Sequence, residues 1–248
     1  MNHNIKININ FHRFFLIVSL HFFLFSSAFS INSNVSNKGT TFRPGHNLQF
    51  FLSLEHSRWT MSQSEKADTP SHTLQPVDDT EYATNLFIRY TNHINILSFF
   101  GIFIGSTVGI LPNKTYSEEG ILYLGTGYLF PTILLGLVFD FSENLRSQLG
   151  GEYGAIYYPS SSVKEGDSNS NLKTIPISFV PDMLNAYFNF EYFYTKNLAI
   201  MNQIGFRYTT SYCLNQCLDK SYVNNLRIRN TSYYYEAGIT WALNNFSN

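Results

Sequence analysis

The chain has 248 residues, 17% of them aromatic and only 13% charged, with a formal net charge of -1. An average chain carries roughly 25% charged residues, and the lack of any basic stripe argues against a nucleic-acid partner. A mean hydropathy of -0.11 is too low for a bundle of membrane helices. It suits strands that turn apolar residues to lipid and polar residues to a lumen.

Residues 1–30 read as a cleavable secretory signal. Lys6 and Arg13 give a positive start, Phe14 to Phe25 an apolar core, and Ala28-Phe29-Ser30 the small residues of a cleavage site. The core is about a dozen residues long, whereas a spanning helix needs roughly 20. No Cys stands at the cut, which argues against a lipoprotein. Residues 31–45 are polar and predicted to form a short periplasmic tail. The remainder, 46–248, is predicted to form one domain.

In that domain Phe, Tyr, Leu and Ile sit mostly at every second position, between polar segments that alternate long and short. The first predicted strand is 46–59, with Leu48, Phe50, Leu52 and Leu54 on one face and Asn47, Gln49, Ser53 and Glu55 on the other. A long loop, 60–80, contains Pro70 and Pro76. Strand 81–91 places Tyr82, Leu86, Ile88 and Tyr90 outward and Asn85 and Arg89 inward. Residues 92–95, Asn-His-Ile-Asn, read as a short turn, followed by strand 96–111 and a loop to residue 120. Strand 121–141 contains Pro131, which cannot donate to a ladder, so a bulge is predicted there. Residues 142–144 form a short turn, 145–158 a strand and 159–172 a third loop. Strand 173–194 is marked by Pro176 and Pro181 near its loop end. A tight turn at 195–197 leads to strand 198–212, loop 213–225 and strand 226–243. In the last strand Tyr233, Tyr235, Ala237, Ile239, Trp241 and Leu243 share the outward face. Gly150-Gly151 and Gly205 follow two of the turns at similar points, which marks similar hairpin units.

Eight strands with both ends on the short-turn side predict an all-β fold: a closed antiparallel transmembrane β-barrel. Closure is required because lipid cannot satisfy an exposed sheet edge. Nearly all of the mature chain resembles the small eight-stranded outer-membrane barrels of the OmpA, OmpX or OmpW type, by pattern rather than by a motif. The resemblance implies a Gram-negative outer membrane, assembly by the barrel-assembly machinery, and contact with outer-membrane lipid and lipopolysaccharide. One departure concerns the end of the chain. Members usually finish on a lipid-facing aromatic, but here Ser247 and Asn248 follow Phe246, which is out of step with Trp241 and Leu243.

On this phase Glu55, Arg89, Arg146, Glu152, Glu191, Arg207 and Glu236 all point inward. An eight-stranded barrel is just wide enough for its side chains to fill, and buried lone charges are costly. The seven are therefore expected to pair as a plug; a narrow channel for ions or small hydrophobic molecules, in which the same pairs rearrange, is the alternative. The resemblance implies a third reading, since some barrels of this type are lipid A acylases or deacylases with a His and a Ser near the outer rim. His56 and Ser57 are the nearest approach, but adjacent strand residues point to opposite faces. His46 and His93 lie at the turn end and His72 in a loop. No catalytic residue is assigned, and no His, Cys and carboxylate set has ligand spacing for a metal. Cofactors are not expected.

Cys213 and Cys217, the only cysteines, are expected to form a local disulfide in an oxidising compartment. Asn-x-Ser/Thr matches at Asn34, Asn113, Asn230 and Asn245 are put down to chance in an Asn-rich chain. Together these features predict a monomer with a structural or surface-interaction role, its long loops facing outside for an extracellular ligand.

Overall fold

The computed structural model describes residues 45–63, 77–112, 114–116, 122–165, 173–213 and 226–243. The signal and tail segments, His72, Asn34, Asn113, Asn245, Phe246 and Cys217 lie outside them. Cys213 ends a strand, but its side chain and the predicted disulfide are outside the described residues as well.

Twelve strands follow one another without a helix among the described residues: β1 (Gly45–Gln63), β2 (Val77–Leu97), β3 (Phe100–Leu111), β4 (Lys114–Tyr116), β5 (Leu122–Leu124), β6 (Gly127–Leu129), β7 (Ile133–Asp140), β8 (Leu145–Glu165), β9 (Lys173–Phe179), β10 (Asp182–Phe193), β11 (Leu198–Cys213) and β12 (Leu226–Ala242). They build eight staves: β6 and β7 share one position, β9 continues the stave of β10, and the short β4 and β5 belong to a small second sheet. Every pairing is antiparallel. The order runs β1, β2, β3, β6/β7, β8, β10, β11, β12. β12 then pairs with β1 from Asn47↔Ala242 to Gln63↔Leu226, so the ring closes. On the long-loop side β4, β5 and β9 flank the extended end of β8 as a small second sheet.

The sides of this wall are the reverse of a soluble barrel. Asn47, Gln49, Ser53 and Glu55 of β1 are buried while Leu52 and Leu54 are exposed. The same alternation runs along β10, where Asn185, Asn189 and Glu191 are buried and Leu184, Phe190 and Tyr192 exposed. Apolar surface of this extent, ringing a closed sheet with a polar interior, belongs in lipid. A lipocalin-like soluble barrel would carry the opposite pattern. On β12 the exposed aromatics Tyr233 and Trp241 bracket the belt; eight residues at about 3.3 Å each give ~26 Å along the strand, which a tilt of about 40° reduces to roughly 20 Å of height, inside an apolar band of about 25 Å.

Two tight turns are built alike. The Ser142 hydroxyl accepts from the Asn144 and Leu145 amides at 3.3 and 3.1 Å. The Thr195 hydroxyl accepts from Asn197 and Leu198 at 3.2 and 3.0 Å. These hydroxyls mimic a backbone acceptor and fix the turn, as predicted at 142–144 and 195–197.

The third turn is not where the sequence put it. β2 runs on through residues 92–95 to Leu97, and the chain reverses at Ser98-Phe99. Asn and His suggest a turn in a soluble sheet; here Thr91 and His93 are simply lumen-facing strand residues. Strands also extend into the predicted loops: β1 reaches Gln63, β8 reaches Glu165, and β4 lies inside the predicted second loop. Leu243 lies just past the end of β12.

Pro131 breaks the phase as expected. Gly127 and Leu129 face inward on odd numbers, whereas Thr132, Leu134, Val138 and Asp140 are buried on even ones. The slip is held from both sides. The Thr132 amide donates to Thr107 O at 3.2 Å and its hydroxyl accepts from the Thr107 amide at 2.8 Å. The Phe130 amide donates to Ala155 O at 3.0 Å. A second break at Val180-Pro181 separates β9 from β10.

Candidate functional site

Among the described residues, the titratable side chains converge in the lumen. Glu55, Arg89, Arg146, Glu152, Glu191, Arg207 and Glu236 are all placed inside the wall, each 0–3% exposed. An eighth charge, Asp140, joins them. The shift of phase at Pro131 is what turns it inward.

The charges form three tiers. Nearest the loop end, Arg207 Nη1 donates to Glu55 Oε2 at 2.6 Å and Nη2 to Glu236 Oε1 at 3.3 Å. Its guanidinium lies between the rings of Phe87 and Tyr234, 4.9 and 4.8 Å from their centroids. Glu55 also accepts from Asn85 Nδ2 at 2.7 Å and from the Ser57 hydroxyl at 3.1 Å.

In the middle tier Arg89 donates to Gln203 Oε1 at 2.7 Å and to the Thr107 hydroxyl at 3.1 Å, with Glu152 Oε2 at 3.9 Å. It is held between Phe51 and Tyr187, at 4.7 and 4.3 Å. Glu152 accepts from Asn185 Nδ2 at 2.8 Å and from the Thr132 hydroxyl at 2.5 Å. Stacking a guanidinium between two rings is favourable when the site is dry, and Arg suits it better than Lys because its charge is planar and weakly hydrated.

At the turn end Arg146 makes a bidentate pair with Asp140, at 2.6 and 3.0 Å, and donates to His93 Nδ1 at 2.8 Å. Glu191 Oε2 is 4.0 Å from it. Glu191 Oε1 accepts from Gln49 Nε2 at 2.7 Å and from the Thr240 hydroxyl at 2.6 Å.

Three side chains join the tiers into one network. Gln203 connects Arg89 to Glu236, where its Nε2 donates at 2.5 Å. Asn185 connects Glu152 to the Tyr234 hydroxyl, which donates at 2.6 Å. Gln49 reaches Glu191 and lies 3.5 Å from Arg89. Every one of the eight staves contributes a member.

Two lumen rings fit because the strand facing them lacks a side chain. Tyr187 pairs with Gly150 on one side and Gly205 on the other. A Cβ on Gly150 would lie 2.3 Å from the Tyr187 ring, and one on Gly205 would lie 2.2 Å from the Tyr234 hydroxyl.

Sequence reading placed Gln49 on the inward face but missed Asp140, His93, Gln203, Asn185 and both tyrosines. Parity along the strands carries a signal for all but Asp140, since each is an inward position on a stave already phased by an inward charge or glycine.

The turn-end lumen is less completely bonded. Gln148 and Asn189 face each other across β8 and β10, and neither side chain has a protein partner for its amide. His93 Nε2 is unpartnered too. Buried amides of this kind are ordinarily satisfied by water.

His56 lies on the outer face, stacked at 4.9 Å on Tyr82. Ser57 points into the lumen and lies 3.1 Å from the Ser232 hydroxyl. His46 stacks outward on Tyr90 at the turn end. Among the described residues no group of three His, Cys, Asp or Glu side chains is placed to hold a metal ion.

No family model matches the chain, and no curated protein matches it. Among solved structures it is similar to the outer-membrane protease OmpT of Escherichia coli, at 11% identity over 80% of this chain and 97% of that one, with a TM-score of 0.46. It is also similar to the outer-membrane protein AlkL, at 12% identity over 88% and 99%, with a TM-score of 0.44. A third is the outer-membrane protein OprG of Pseudomonas aeruginosa, at 12% identity over 80% and 95%, with a TM-score of 0.38. The fold itself stands on the closed strand pairing described above.

Proposed function

We propose that this chain is a Gram-negative outer-membrane barrel with a lumen closed by its arginine–carboxylate network, acting as a structural or surface-interaction protein through the long-loop end. The observation that carries this reading is the pair of arginine sandwiches. Arg207 and Arg89 are each fixed by two rings and by hydrogen bonds at successive levels of the lumen. Moving either one out of the way strips its carboxylates in a dry interior, which is expensive. The test is conductance of the folded mature chain in a planar lipid bilayer. A silent bilayer is the expected result, with current appearing when Arg89 and Arg207 are replaced by Ala.

A second reading, a narrow channel, is favoured by the unpartnered Gln148 and Asn189, which imply water in the turn-end half of the lumen. A steady wild-type conductance that falls on charge swaps at Arg89 or Glu191 would replace the plug with this channel. A lipid-modifying enzyme draws no support from His56 and Ser57, whose side chains lie on opposite sides of the wall. Loss of a lipid A change on His56→Ala would reopen it.

A further inference from the structure

The outward face of β10, β11, β12 and β1 carries one side chain that does not suit lipid. On these staves Leu52, Phe190, Ile200, Ile204, Tyr235 and Ile239 are exposed in the belt. Asn202 of β11 stands among them and is exposed as well. Every other outward residue of these strands between the levels of Tyr233 and Trp241 is Ala, aliphatic or aromatic.

Asn202 also lies at mid-depth. It pairs with Ala237, which is midway along β12 between Tyr233 and Trp241. Neighbouring strands are about 4.8 Å apart, so a tilt of about 40° separates the two residues by only about 3 Å in height. Acyl chains at that depth offer neither donor nor acceptor. The Tyr235 hydroxyl donates to Asn202 Oδ1 at 2.5 Å, which satisfies one end of the carboxamide. Among the described residues its Nδ2 meets no acceptor. Turning the amide over only exchanges the ends: Nδ2 then donates to the tyrosine and Oδ1 is left. An amide with one end unmet in hydrocarbon is costly.

We propose that two copies of this chain meet on this face within the membrane, through a carboxamide pair between Asn202 and the partner's Asn202. A carboxamide is its own complement. Each NH2 group donates to the other's oxygen, and that oxygen has a second lone pair for Tyr235. A two-fold axis along the membrane normal, the usual symmetry of a dimer, puts both side chains at one depth. A different protein would have to bring a polar group of its own to that depth. Ala237 leaves the carboxamide open to approach from the β12 side, while Ile200, Ile204 and Phe190 offer apolar contact around it. The inference rests on the membrane placement proposed above, and it replaces the monomer expected from the sequence.

The test is energy transfer between donor- and acceptor-labelled copies of the mature chain, labelled at the amino terminus and folded into phosphatidylcholine vesicles over a range of protein-to-lipid ratios. Wild type is expected to show transfer above that of random proximity. Asn202→Leu should move the midpoint to a roughly tenfold higher ratio, the scale of a hydrogen bond between chains in a membrane. Leu135→Ala, on the facing stave, leaves the midpoint unchanged. Heat-modifiable migration on a gel checks that each variant is folded, and Asn202→Leu should fold at least as well as wild type because it removes a polar group from lipid. Transfer no greater than random proximity in wild type, or an equal midpoint for Asn202→Leu, overturns the dimer but leaves the barrel intact. A chain that stays folded and monodisperse in plain buffer without detergent overturns both.

Discussion

The two sides of the barrel are built differently. β11, β12, β1 and β2 form an uninterrupted wall in which register is kept from the turn end to the loop end, with pairings such as Leu48↔Trp241 and Met61↔Ile228 in one frame. The facing wall is interrupted: the β6/β7 stave slips by one residue at Phe130–Thr132, and β10 is separated from β9 at Pro181. The continuous wall carries Glu55, Arg207 and Glu236 as a compact triad. The broken wall supplies Asp140, Glu152 and the threonine that holds the slip. A one-residue slip exchanges the two faces of a strand, so the break decides which residues enter the lumen rather than merely bending the sheet.

The largest effect that would test this contrast is expected at Arg207. Arg207→Met strands two carboxylates in the continuous wall and should cost about 3–5 kcal/mol, read as a fall in the urea midpoint of the barrel in vesicles. Adding Glu55→Gln and Glu236→Gln should recover most of the loss. If the triple variant is no better than the single one, the triad is not a unit. Arg146→Met, which strands Asp140 of the broken wall, should cost about 3 kcal/mol, at the lower end because Glu191 keeps its bonds to Gln49 and Thr240.

Smaller effects are expected where packing is the only term. Gly205→Ala pushes against the Tyr234 hydroxyl and the Ala186 carbonyl and should cost about 1–3 kcal/mol by overpacking. Gly151→Ala meets nothing closer than 4.0 Å and should stay within about 0.5 kcal/mol of wild type. Equal losses at the two positions would mean that the lumen rings are loosely held. Pro131→Ala should cost less than about 1 kcal/mol, chiefly through unfolded-state freedom, because the Thr107–Thr132 bonds rather than the ring hold the slip. A large loss there would assign the slip to the proline itself.

The smallest effect is expected outside the belt. The hydrogen bond from Arg58 holds the Asp78 carboxyl below the usual aspartate range. Its stabilising contribution is therefore present above that range and fades as pH falls through the lowered value. Both side chains are exposed, and exposed ion pairs contribute little, so Asp78→Asn should leave the urea midpoint unchanged at neutral pH. A clear drop would show that the Arg58–Asp78 pair is structural.

How far the lumen could be read from sequence follows the same division. Strict alternation carries from Leu48 to Leu54 and from Tyr233 to Trp241, so Glu55 and Glu236 were legible by counting in twos, and Arg89 followed in the same way from Leu86, Ile88 and Tyr90. Asp140 was not, because Pro131 marks that a slip occurs without saying in which direction the phase resumes. His93 was misplaced because Asn-His-Ile-Asn has the chemistry of a turn, and only the length of β2 shows it to be strand. The outward-facing Arg58 and Arg229 could not be grouped at all. They are far apart in sequence, and they become neighbours only when the first and last strands meet.

That meeting has a consequence for assembly. Glu55 stands on β1 and Glu236 on β12, the two strands whose pairing seals the ring, and Arg207 binds both. Before sealing, one of the three charges lacks its counterpart and must remain in contact with water. The triad thus works as a latch that engages only on complete closure. An incompletely zipped barrel keeps a wet, charged seam, and the final step of insertion is the one that dries it.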